Sequence, residues 1–188
     1  LPEATPLGVP ILRVLGQLAN TYIIAEGPDG LYLIDQHAAH ERILFEKILA
    51  QRERREVEIQ PLLEPMTLEL GARQEELLRA KGETLAQFGF TIEPFGDRTC
   101  LVRAVPAMLG GEGIIEAVKE TLNSLEDEIT PSKIEERIAL SIACHSAIRA
   151  GKVLSQEEMR ALVQQLERAA SPRTCPHGRP TMVHLSSG

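Results

Sequence analysis

Apolar and polar positions change their spacing several times along the chain, and each change marks an element. Arg13 to Ala19, Tyr22 to Ala25 and Leu31 to Ile34 read as short strands, with Gly27-Pro28-Asp29-Gly30 as a hairpin turn between the second and third. From about His37 to Arg52 the period becomes helical. Val57 to Leu70 is an extended run interrupted by Pro61 and Pro65. Ala72 to Phe88 is a charged amphipathic helix. Phe90 to Pro94 and Thr99 to Val105 are strands joined by Phe95-Gly96-Asp97-Arg98, and Ile114 to Leu125 is a further helix. Thr130-Pro131-Ser132 opens a helix with Thr as the N-cap and Pro in the first turn, expected to run to about Ala150 and stop at Gly151. Ser155-Gln156-Glu157-Glu158 is a capping box at the head of a helix ending near Ala170. Ser171 to Pro180 is loop, and Thr181 to Leu185 a last strand.

This order predicts an α+β fold in two lobes. Residues 1–10, with three prolines and a glycine, are expected to be the linker end of a larger protein. Residues 11–56 and 130–188 form one lobe, and residues 57–129, in the order β-α-β-β-α, form a smaller inserted one. With 188 residues there is room for one core carrying such a lobe, without help from disulfides.

Composition narrows the function. Aromatics are 3% with no Trp, so a surface that stacks nucleic-acid bases is excluded. The formal charge is -7, and the longest basic block is Arg52-Glu53-Arg54-Arg55, so the chain alone is expected to bind DNA weakly and to need something else to hold it there. No apolar run reaches membrane-span length. Three widely spaced cysteines do not make a disulfide framework and fit a reducing compartment.

Three clusters carry chemistry. In Asp35-Gln36-His37-Ala38-Ala39-His40-Glu41, Asp35 ends an apolar strand, and His37 and Glu41 stack one turn apart on the helix that follows. They sit in the stripe of Ala38, Leu44, Phe45, Ile48 and Leu49, where a carboxylate is costly unless paired or metal-bound. Glu46 lies on the other side of the helix. The plain alternative is a helix start capped by Asp35 and His37, with Glu41 paired to an arginine. In Cys175-Pro176-His177-Gly178-Arg179-Pro180, a constrained loop can turn Cys175 and His177 toward one ion, or simply bury the cysteine. Cys144, in Ala143-Cys144-His145, lies on a helix that is apolar or small nearly all round; it is a ligand or a packed small side chain. Cys100, alone in a strand, is structural. The mixed Cys, His and carboxylate set suits Zn²⁺, and more than four candidate ligands fits two metals.

These residues resemble the MutL mismatch-repair endonucleases. Asp-Gln-His-Ala-x-x-Glu-x-x-x-x-Glu over Asp35 to Glu46 is similar to their endonuclease motif. Cys-Pro-His-Gly-Arg-Pro over Cys175 to Pro180 is similar to a second, and Ala143-Cys144-His145 to a third that usually reads Ala-Cys-Arg. Gln17 to Ile24 resembles the start of the MutL C-terminal domain. Two departures stand out: His145 replaces the usual Arg, and no Phe-x-Arg follows Leu185.

The resemblance implies a dimerisation lobe from both chain ends and a regulatory lobe between them. It implies a latent, metal-dependent nicking activity on duplex DNA in a bacterial cytoplasmic, nucleoid-associated homodimer. His37, Glu41, Cys144, Cys175 and His177 would be ligands, with Asp35 a ligand or the group that orients water. Gln36 and Arg179 would serve phosphate or support the site. Zn²⁺ would be bound, Mn²⁺ or Mg²⁺ would activate, and ATP would act only through an N-terminal domain absent from this chain. Other mismatch-repair proteins and the replication sliding clamp are implied partners. The clamp would dock on Gln60, Leu62, Leu63 and Pro65 of Gln60-Pro61-Leu62-Leu63-Glu64-Pro65, which otherwise reads as an edge strand with its leucines toward the core. The competing reading is a structural dimerisation module with a closed, non-catalytic zinc site. A small-molecule metallohydrolase would need a deep apolar pocket that no sequence feature announces.

Overall fold

The computed structural model describes residues 8–111, 113–125 and 130–187. Most of the expected linker, up to residue 7, lies outside them. The fold is α+β, in two compact units that divide between Glu46 and Lys47 and between Ser146 and Ala147.

The first unit, described for residues 8–46 and 147–187, holds an antiparallel sheet in the order β1-β2-β3-β7. Its strands are β1 (Arg13–Leu18), β2 (Tyr22–Gly27), β3 (Gly30–Asp35) and β7 (Met182–Ser186). β1 ends one residue before Ala19 because Ala19 and Asn20 both take positive φ, 50° and 51°, and Thr21 N–H donates to the Leu18 carbonyl at 3.1 Å. Leu18 pairs with Tyr22, so Ala19, Asn20 and Thr21 make the connection, and Ala is a costly choice for a positive φ. Ile23, Ala25, Tyr32, Ile34 and Met182 face inward and pack against α5 (Gln156–Glu167) and the start of α1 (Gln36–Arg54) through Ala39, Ile43, Met159, Leu162, Val163 and Leu166. The capping box holds: Glu158 N–H donates to Ser155 Oγ at 3.1 Å and Ser155 N–H to Glu158 Oε2 at 2.7 Å. The Ser155 backbone and hydroxyl hold the Glu158 carboxyl below its ordinary range.

The opposite face of this sheet is apolar and left uncovered by the described residues. Register places Ile24 beside Leu33 and Leu33 beside Val183, with Leu31 beside Leu185 and Leu18 beside Tyr22. Leu18, Tyr22, Leu31, Val183 and Leu185 are exposed, and Ile24 and Leu33 half-buried.

The second unit, Lys47–Ser146, carries a sheet in the order β4-β6-β5. Its strands are β4 (Ile59–Glu69), β5 (Thr91–Pro94) and β6 (Thr99–Pro106); its helices are α2 (Ala72–Gln87), α3 (Ile114–Ser124) and α4 (Pro131–Ser146), with one 3-10 turn at Ala107–Leu109. The order β4-α2-β5-β6-α3 agrees with the sequence reading. β4 is an edge strand, and it bulges: Pro61 pairs with Ala104 and Met66 with Val102, leaving Leu62 to Pro65 opposite Arg103 alone. The prolines explain the edge position. The leucines do not both face the core; Leu62 is half-buried and Leu63 fully exposed.

Two helices are shorter than the sequence indicates. α4 ends at Ser146 and not at Ala150; α5 ends at Glu167 and not at Ala170. The backbone beyond each is occupied otherwise. The Ile148 carbonyl accepts from His37 Nδ1 and its N–H donates to His40 Nδ1, both at 2.8 Å. Ala170 and Ser171 N–H donate to Glu46 at 2.8 and 3.1 Å.

Candidate metal centre

β3 runs into α1 without an intervening residue, because Asp35 caps the helix. Its Oδ1 accepts from His37 and Ala38 N–H at 2.9 and 3.0 Å. The plain reading of Asp35 is therefore realised for one of its two oxygens. Gln36 is completely buried. Its carbonyl oxygen accepts from Gln17 Nε2 at 2.7 Å, and its amide donates to Asn20 and Lys152 carbonyls at 2.9 and 3.0 Å. A phosphate contact does not fit an amide closed in this way; Gln36 ties the hairpin to the segment after Ile148.

The second motif is a tight loop. Gly178 N–H donates to the Cys175 carbonyl at 2.9 Å and Cys175 N–H to the Arg179 carbonyl at 2.7 Å. Gly178 has φ +82°, a conformation that favours glycine, and the turn leaves His177 at its apex. At the loop's exit Thr181 N–H donates to the Arg173 carbonyl at 3.0 Å. The Thr181 carbonyl accepts from Asp35 N–H at 2.8 Å. The loop is thus pinned to the point where α1 begins.

Glu41 is where the two motifs meet. It is 2% exposed, with Oε1 at 3.2 Å from His37 Nε2 and Oε2 at 3.5 Å from His177 Nδ1 and 3.6 Å from Arg179 Nη2. Oε2 is buried and has no hydrogen-bond partner among the described residues. The His37 ring commits its Nδ1 proton to the Ile148 carbonyl, so Nε2 turns a lone pair to the carboxylate unless a cation, proton or metal, lies between. A buried carboxylate oxygen left over in this way is expensive in a finished ion-pair network. Glu41 has imidazole nitrogen on two sides, and His177 shares its loop with the buried Cys175. This donor chemistry fits Zn²⁺. The guanidinium of Arg179 is pushed above its ordinary pKa, first by its hydrogen bond to Cys175 and then by the charges of Cys175, Glu41 and Asp35. Its side chain is otherwise exposed.

The other sequence candidates belong to the second unit. Cys144 sits half-buried in the last turn of α4, in the second unit. Beside it His145 Nδ1 meets the Ser141 carbonyl at 2.8 Å, and Nε2 meets Glu120 at 2.9 Å. Cys100 is buried in β6, and burial raises its thiol pKa. Gln60 lies over Gly110, where a Cβ would come within 2.2 Å of its Oε1. Sequence reasoning passed over His40 and Arg42. Arg42 Nε donates to the Thr174 carbonyl at 2.7 Å, and its Nη1 lies 3.7 Å from Glu46. The signal available was the Arg42/Glu46 spacing of four, which puts the pair on one helix face.

The family model for the MutL C terminal dimerisation domain matches residues 15–154. The DNA mismatch repair protein MutL of Koribacter versatilis (strain Ellin345) is 43% identical, over 99% of this chain and 30% of its own length. That of Symbiobacterium thermophilum is 43% identical over 93% of this chain and 28% of its own. The MutL of Methanoculleus marisnigri is 42% identical over 93% and 30%. The chain thus spans less than a third of these relatives.

Proposed function

We propose, for a chain that belongs to the MutL C-terminal dimerisation domain family, a metal-dependent DNA-nicking domain of mismatch repair that acts as a homodimer. The observation that carries the chemistry is the buried Oε2 of Glu41, without a hydrogen bond among the described residues and 3.5 Å from His177, with His37 Nε2 on the other oxygen. When bound, a divalent ion supplies an activated water and neutralises charge on the scissile phosphate and the leaving oxygen. His37, Glu41, Cys175 and His177 would hold it. Asp35 orients the attacking water or adds a ligand, and the exposed Arg179 contacts phosphate. Dimerisation uses the uncovered apolar face of the β1-β2-β3-β7 sheet.

Zinc analysis of the purified protein, run beside supercoiled-plasmid nicking in Mn²⁺, Mg²⁺ and Zn²⁺, tests this reading. The expected result is retained zinc together with nicking that needs added Mn²⁺ or Mg²⁺. Retained zinc without nicking under any of the three ions would favour the structural module.

Recruitment follows from charge. At net -7 the domain attracts duplex DNA poorly, and a DNA-encircling partner raises the local concentration of substrate. Leu63, fully exposed on the β4 bulge next to a half-buried Leu62, suits docking of Gln60, Leu62, Leu63 and Pro65 on the sliding clamp. Gln60→Ala with Leu63→Ala is expected to lower clamp-stimulated nicking about tenfold. Basal nicking in Mn²⁺, metal content and dimerisation are expected to stay unchanged. Among the described residues no helix is long and apolar enough to cross a membrane.

A further inference from the structure

The two glutamates of the Asp35–Glu46 motif face different things. Glu41 and Glu46 are five residues apart, which at about 100° per residue turns them roughly 140° from each other around α1. Glu41 is directed at His37, His177 and Arg179. Glu46 grips the stretch that leads into the Cys175–Arg179 turn: its Oε2 accepts from Ala170 N–H at 2.8 Å and its Oε1 from Ser171 N–H at 3.1 Å. One turn back, Arg42 Nε donates to the Thr174 carbonyl at 2.7 Å, the residue immediately before Cys175. Its guanidinium packs over the Phe45 ring at 5.5 Å and lies 3.7 Å from Glu46, so the pair restrain one another. Two charged side chains on one helix stripe therefore fix three backbone positions within five residues of Cys175.

We infer that Arg42 and Glu46 are positioning residues: a clamp on segment 170–174 that presents Cys175 and His177 to the ion, with Glu46 outside the ligand set. This rests on the metal-site reading proposed above. The physical reason is entropic. A loop of ligands that must be ordered by the ion itself binds it more weakly than one already held in place, and supporting contacts of this kind commonly carry about tenfold or more in metal affinity.

Cobalt titration of the zinc-stripped protein, read by its visible d–d bands, separates positioning from ligation. Glu46→Gln and Arg42→Lys are expected to weaken Co²⁺ binding about tenfold while the spectrum at saturation stays that of the wild type. A changed saturated spectrum in Glu46→Gln would make Glu46 a ligand and overturn the inference, as would unchanged affinity in both variants. Amide hydrogen exchange of the metal-free protein supplies the second readout. Cys175 and Gly178 amides, both bonded within the turn, are expected to exchange about tenfold faster in Glu46→Gln; unchanged protection there would equally overturn the clamp. If wild-type protein takes up no Co²⁺, the metal-site reading fails, and exchange still decides whether Arg42 and Glu46 hold the loop.

Discussion

Glu41→Gln is expected to abolish zinc retention and nicking while leaving the metal-free fold as stable as before, or more so. The substitution keeps the shape of the side chain and removes its charge. In an ion site that charge is the main attraction for the cation, and its loss costs occupancy directly. Stability is the sharper test, because two accounts of Glu41 give opposite signs. If Glu41 were the anionic half of a structural pair with the half-buried His37 or the exposed Arg179, neutralising it would remove that attraction and destabilise the fold by about 1 kcal/mol. If the site is built for an absent cation, the metal-free protein carries a buried carboxylate with one oxygen outside hydrogen-bond reach, and Gln relieves that cost, for a change between zero and about 1 kcal/mol in the stabilising direction. Denaturant unfolding of both proteins after chelation measures the sign. Zinc content unchanged in the variant, or a loss of metal-free stability, would remove Glu41 from the ligand set.

How much of this was legible in the sequence differs by kind of signal. Strand and helix identity came through, since alternation and the Ser155-x-x-Glu158 box are local. The misjudged boundaries share one cause. The helix predicted to reach Ala150 stops at Ser146, and the one predicted to reach Ala170 stops at Glu167. The backbone groups of Ile148, Ala170 and Ser171 are bonded to His37, His40 and Glu46, more than 100 residues earlier in the chain. No local propensity contains that information. The left-handed Ala19 and Asn20 are a similar case: propensity argues against Ala there, and the tight β1–β2 pairing overrides it. The candidate site was legible as residue types, because a carboxylate and an imidazole in an apolar stripe are anomalous wherever they occur. Their division of labour was not. That Gln36 is sealed in a packing network and Glu46 bonded to a loop depends on which helix face meets which segment, and only the folded chain sets that.

A second large effect is expected at the uncovered sheet face. Leu33→Asp together with Val183→Asp should turn a micromolar-stable dimer into a monomer without loss of zinc. Leu33 sits at the centre of the apolar row, beside Ile24 on one side and Val183 on the other, and β7 forms the sheet's edge. Seven apolar side chains on this face, each about half exposed, would contribute on the order of 1 kcal/mol apiece when covered. Counted on both protomers this is on the order of 10 kcal/mol, the same scale as the cost of bringing two chains together, so the margin is small and easily reversed. A two-fold axis repeats every substitution, so the double variant places four carboxylates in one interface. Each carboxylate loses several kcal/mol of hydration with no cation to offset it. In the separate protomer Val183 is exposed and Leu33 half-buried, so the fold should lose no more than about 1–2 kcal/mol, mainly from Asp in strand positions. Zinc content should hold, because both residues point away from the face that packs on α1. Sedimentation at micromolar concentration decides the matter. A dimer that survives the double change would move the interface elsewhere, and a wild-type chain that sediments as a monomer would remove the homodimer itself.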